Sequence, residues 1–99
     1  MLTIEKKAEG KRLVIALTGR LDTTTAPDLE KAVRESIEGV ENLSFDFKIL
    51  EYISSAGLRV LLSAHKTMSK QGSMVIKNAS AEVKEIFEVT GFSEILNIE

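Results

Sequence analysis

The sequence predicts a single α/β domain over residues 1–99, built on a mixed, mostly parallel sheet of four to five strands with helices packed on one face. Three observations predict it. Short apolar runs of strand type alternate with stretches whose apolar residues recur every three or four positions. Each helical stretch opens on a hydroxyl-bearing residue and closes near a glycine. The 99 residues contain no linker, internal repeat or low-complexity segment. That length suits one core, burying roughly two-thirds of the unfolded surface. Strands that alternate with helices call for right-handed crossovers between parallel neighbours. The expected order is β-β-α-β-α-β-α-β.

The elements follow in turn. Leu2, Ile4 and Lys6 alternate with polar residues and predict an edge strand. Lys11 to Thr18, with Leu13-Val14-Ile15-Ala16-Leu17 at its centre, predicts a buried strand. Glu9-Gly10 between them predicts a hairpin, so the first two strands are antiparallel neighbours. Gly19 to Thr25 is a polar connector. Thr25 and Asp28 have capping-box spacing, and Pro27 falls in the first turn, where its missing N–H costs little. Leu29, Val33 and Ile37 follow at helical spacing, with Ala26 and Ala32 widening the stripe, and Gly39 stops the helix.

Leu43 to Phe47 predicts a short central strand, followed by a loop. A second helix runs from about Ser55 to Lys70, with Leu58, Leu61, Leu62, His65 and Met68 toward the sheet. Gln71-Gly72 ends it. Met74-Val75-Ile76 predicts the return strand. Ser80 caps a last helix that carries Val83, Ile86, Phe87 and Val89. Gly91 sits where a left-handed residue ends a helix, and Phe92 follows to pack back on Phe87. Ile95 to Ile98 predicts a closing strand.

Composition excludes several function classes. Charge is balanced, 13 basic against 15 acidic residues, with no basic cluster, so no nucleic-acid surface is expected. No apolar run reaches membrane-spanning length, and Met1 to Lys7 lacks the apolar core of a signal peptide. A cytoplasmic protein with no membrane contact is expected. There is no cysteine and one histidine, so disulfides, thiolate sites and a clustered metal site are not expected, nor is a cofactor. A serine hydrolase needs a base within hydrogen-bond reach of its nucleophile. Ser55 and His65 on one helix lie about 15 Å apart at 1.5 Å per residue. Gly19 and Gly57 are isolated and form no phosphate loop. An enzyme is not expected.

The chemistry concentrates at Ser54-Ser55-Ala56-Gly57, where a loop becomes a helix. A helix start presents unpaired N–H groups and a partial positive charge. Serine there is a cap or a phosphate acceptor. A cap needs one hydroxyl and two are present. Glycine in a first turn costs roughly 1 kcal/mol relative to alanine, which suggests a use for bare surface, such as contact with a partner. On the outward side of this helix Arg59 is closest to the serines; Ser63 and Lys66 read as an ordinary solvated face.

Asp46 to Leu62, read DFKILEYISSAGLRVLL, resembles the signature of STAS domains, specifically the bacterial anti-sigma-factor antagonists. Gly19-Arg20-Leu21-Asp22 with Thr23 to Pro27 is similar to the family's loop from second strand to first helix, and Thr90-Gly91-Phe92 to its ending of the last helix. The resemblance covers nearly the whole chain. It implies a regulatory module that binds an anti-sigma factor, itself a serine kinase, and so frees a sigma factor. It also implies a serine phosphatase that reverses phosphorylation of one serine, which falls on Ser55. Where the family's motif places aspartate before the acceptor this chain has Ser54, and after it Ala56. Partner contact is expected of Asp22, Thr23 and Thr24 in the loop and of Ser54, Ala56, Gly57 and Arg59 at the helix start. Two other readings stay open: a STAS-type adaptor that binds constitutively with Ser55 as a cap, and a small-ligand-binding domain using Ser55 and Asp22 in an uncovered groove.

Overall fold

The computed structural model describes residues 2–99. Strands β1 (Leu2–Glu9) and β2 (Arg12–Leu21) form the expected hairpin, turning at Gly10 with φ +61°. Helix α1 (Ala26–Ser36), strand β3 (Asn42–Ile53), helix α2 (Ser55–Met68), strand β4 (Ser73–Lys77) and helix α3 (Ala81–Thr90) follow, then a 3₁₀ turn at Phe92–Glu94. The sheet order is β1-β2-β3-β4, antiparallel at β1–β2 and parallel elsewhere. This is the mixed, mostly parallel sheet read from the pattern.

The helices cover one face. Leu13, Ile15 and Leu17 of β2, Leu43, Phe45 and Phe47 of β3, and Met74 and Ile76 of β4 are all buried against them. Phe47 stacks on Phe87 of α3, ring centroids 6.3 Å apart, and meets Phe45 at 6.1 Å. Such aromatic pairs contribute about 0.5–1.5 kcal/mol beyond their area. On the other face the register lines up Lys7, Val14, Ser44 and Val75, which remain exposed or half-buried. No described helix is long and apolar enough to cross a membrane.

Four expectations need correction. First, β2 and β3 are longer than their apolar runs: Gly19–Leu21 is strand, paired with Leu50–Ile53, and no loop follows Phe47. Register shifts at Ala16/Thr18 and Gly19/Arg20, with Gly19 at φ +106°, break the period of two. Buried residues in β3 therefore fall at Phe47, Leu50 and Ile53, three apart, and the alternation fades. Second, the C-terminal segment is no strand. After the 3₁₀ turn it makes a single bridge, Ile98 beside Ile76, so the sheet has four strands. Third, α2 buries Gly57, Leu58, Val60, Leu61, Ala64 and Met68, while Leu62 and His65 are half-buried. Fourth, Val89 is 80% exposed, on the outer side of α3. Ser80 does cap α3, accepting from the Val83 N–H at 3.2 Å, and Gly91 ends it at φ +81°.

Candidate functional site

The site lies where the end of β2 meets the start of α2. Ser54 leaves β3 in an extended conformation, φ −99° and ψ 175°, and its N–H donates to the Leu21 carbonyl at 2.9 Å. Its hydroxyl accepts from the Gly57 N–H at 3.4 Å, and its carbonyl accepts from Leu58 at 3.0 Å. Ser54 is thus the cap. Ser55 is the first helical residue, exposed, and its hydroxyl has no hydrogen-bond partner among the described residues. The two adjacent serines have separate positions, one used by the fold and one free.

The β2–α1 loop is held by Asp22. Its Oδ1 accepts from the Thr24 N–H at 3.0 Å, the Thr25 N–H at 3.1 Å and the Thr24 hydroxyl at 2.7 Å. The Thr25 hydroxyl accepts from the Asp22 N–H at 2.8 Å and donates to the Arg20 carbonyl at 2.9 Å. This corrects the predicted capping box: Thr25 has helical backbone angles and makes no side-chain cap, while the Asp22 carboxylate takes the N–H groups of Thr24 and Thr25 just ahead of the helix and its carbonyl accepts from the Ala26 N–H at 2.8 Å. Signals for this were present in the Asp22-Thr23-Thr24 run, since aspartate readily bonds backbone two residues on.

The Thr24 hydroxyl, opposed by partial burial and helped by the two N–H groups, holds the Asp22 carboxyl below its ordinary value of 3.8. Asp46 is also lowered, first by the Asn78 amide at 3.1 Å and then by the Lys48 N–H at 3.0 Å. A depressed carboxylate stabilises the fold above its unfolded pKa and loses that contribution as pH falls through its folded one. Urea midpoints should therefore hold steady from neutral pH downward and drop below pH 3.8. Asp46→Asn should flatten that drop; an unchanged acid limb would contradict the assignment.

The bare position at Gly57 is not an outward surface. Gly57 is buried, and a Cβ there would sit 2.7 Å from Leu21 Cγ, 2.9 Å from Leu21 Cδ2 and 3.0 Å from Ile53 Cγ1. Glycine lets α2 pack closely on the end of β2, which corrects the expected partner contact at this residue. In Gly57→Ala, overpacking of about 1–3 kcal/mol outweighs a helix gain of about 1 kcal/mol. The variant should lose about 1 kcal/mol net by those two terms; a urea midpoint above the wild type's would refute this.

A shallow groove of about 230 Å³ separates the starts of α1 and α2, lined by Thr23, Pro27, Glu30, Ala56 and Arg59. It brings together three of the sequence-selected residues, Thr23, Ala56 and Arg59. Asp22, Thr24, Ser54 and Ser55 flank it, joined through the Ser54–Leu21 bond. Sequence reading missed Leu21, fully buried, which both accepts that bond and receives Gly57. It also missed Arg20, whose guanidinium lies 4.4 Å from the Tyr52 ring centre. His65 lies two turns and more along α2 from Ser55. No group of three or more His, Asp or Glu capable of holding a metal ion occurs among the described residues.

The STAS domain family model matches residues 3–99. BtrV of Bordetella bronchiseptica, provisionally named an anti-sigma factor antagonist, is 34% identical over 88 residues, 87% of this chain and 76% of that protein. The anti-sigma-B factor antagonist of Listeria monocytogenes is 31% identical over 94% of this chain and 83% of its own length. Among solved structures, an anti-sigma factor antagonist from Mycobacterium paratuberculosis superposes with a TM-score of 0.90 at 20% identity, over 99% of this chain and 85% of that one. SpoIIAA of Bacillus in its phosphorylated form superposes at 0.76 with 18% identity, over 98% and 91%. At these identities the structural likenesses show the fold.

Proposed function

The chain belongs to the STAS domain family, among the anti-sigma factor antagonists, and on that premise we propose that it binds an anti-sigma factor that is also a serine kinase. Binding frees a sigma factor in the cytoplasm. Phosphorylation of Ser55 ends the binding, and a serine phosphatase restores it. The observation that carries this reading is the division of labour between the two serines: Ser54 caps α2, which leaves the Ser55 hydroxyl exposed and unpartnered beside the Asp22 loop and the Arg59 groove. The existence of a phosphorylated form of SpoIIAA, a protein of the same fold, supports it. As regulatory binding proteins, members of this group are not enzymes.

The expected contact surface is Asp22, Thr23, Thr24, Ser54, Ala56 and Arg59. The test is affinity capture from the native cell with wild type, Ser55→Ala and Ser55→Asp. Ser55→Ala should retain a kinase-like partner, and Ser55→Asp should lose it. Equal capture by both variants would sink the switch. One observation favours a constitutive adaptor as second reading: Ser54 stands where the family's motif has aspartate. Intact masses that never include a phosphorylated species under any growth condition would favour it.

A further inference from the structure

We infer that the Arg59 guanidinium pairs with the phosphoryl group carried on Ser55, so that modification withdraws this guanidinium from the groove while adding negative charge. The inference rests on the reading of Ser55 as acceptor. Ser55 and Arg59 stand four residues apart in α2, both exposed. Residues at this spacing are neighbours on the helix surface, with Cβ atoms about 6 Å apart. The Cα–Cβ bond of a helical residue tilts toward the helix N-terminus, so the turn that carries Ser55 and Ala56 is within reach of Arg59, which lines the groove beside Ala56. An anion N-terminal to a cation is the favourable order at this spacing.

The neighbouring charges leave Arg59 available. No carboxylate forms an ion pair with it among the described residues, whereas Arg34 is held by Glu30 at 2.6 Å. Glu30 shares the groove but is thereby partnered. Asp22 on the β2–α1 loop has its Oδ1 filled by Thr24 and Thr25, and repels a phosphoryl group. Glu51 near the end of β3 is exposed and also acidic. Arg20 is engaged over Tyr52. The N–H groups of Ser55 and Ala56 have no helical carbonyl to meet and favour the same anion. A partner that offers Arg59 a carboxylate loses an attraction and meets a repulsion in one event.

The test installs phosphoserine at position 55 during synthesis, in wild type and in Arg59→Gln and Arg59→Lys, and follows the phosphate's second ionisation by ³¹P NMR. A nearby cation favours the dianion. The wild type should titrate about 0.15 to 0.4 pH unit below Arg59→Gln, by the usual strength of such pairs, with Arg59→Lys between them and the gap closing in high salt. Identical titrations in wild type and Arg59→Gln overturn the inference. Neither a kinase nor a partner enters this measurement, so it stands or falls separately from the capture experiment.

Discussion

Phosphorylated at Ser55, the protein is expected to keep its fold and to lose about one to four decades of affinity for its anti-sigma partner. A phosphoryl group carries about −1.5 to −2 charges and is tolerated at a helix start. Ser55 is exposed and its hydroxyl takes part in no hydrogen bond among the described residues. Thermal midpoints of the modified and unmodified protein should agree closely. The cost falls on the complex. Two charges facing one partner carboxylate at about 6 Å repel by on the order of 1 kcal/mol in water and about 5 kcal/mol at an effective dielectric near 20. Each 1.4 kcal/mol is about tenfold in affinity. Calorimetric titration of the partner into both forms reads the difference directly. Equal affinities, or a modified form that melts far lower, would contradict the mechanism.

Gly72→Ala should unfold the protein far more readily than Gly57→Ala. A Cβ at Gly72 would stand 1.9 Å from the Glu41 carbonyl oxygen and 2.6 Å from its carbon. Those are backbone atoms, so no rotamer change relieves the clash. The surrounding bonds also resist movement. The Gly72 N–H donates to Met68 at 2.7 Å, the Ser73 N–H donates to Glu41 at 2.9 Å, and the Gln71 amide reaches the carbonyls of Ile37 and Val40 at 2.8 and 2.6 Å. Separating the segments breaks this junction between α1, β3 and β4. The loss should reach about 3 kcal/mol or more, at the upper end for overpacking, and lower the melting temperature by roughly 15 °C for a domain of this size. A melt within a few degrees of wild type would show that the junction yields. Gly57→Ala should be milder, because it meets side-chain carbons rather than backbone.

Much of this was legible in the residues. Ser80, Gly91 and the helical stripes announced α3, and the apolar cores of β2 and β3 announced the parallel pair. What hid were features set by contacts distant in sequence. Arg20 and Tyr52 belong to strands only because register shifts let them pair. The Asp22 loop bonds compete with a Thr25–Asp28 spacing that is equally good on paper. At the site, two adjacent hydroxyls were visible, yet their division required the Ser54–Leu21 bond, between residues 33 positions apart that no local pattern spans. Gly57 was read as open because its neighbour Leu21 comes from another element. Ile95 to Ile98 is apolar enough for a strand, but β4 offers it a single bridge.

The uncovered side of the sheet has a practical use. Lys7, Val14, Ser44 and Val75 lie across the four strands, on the side away from the helices and from the Arg59 groove. A dye, tether or fused reporter attached at Lys7 would project away from the regulatory end. Immobilised through that residue, the molecule would present Ser55 freely to an enzyme or a binding partner in solution.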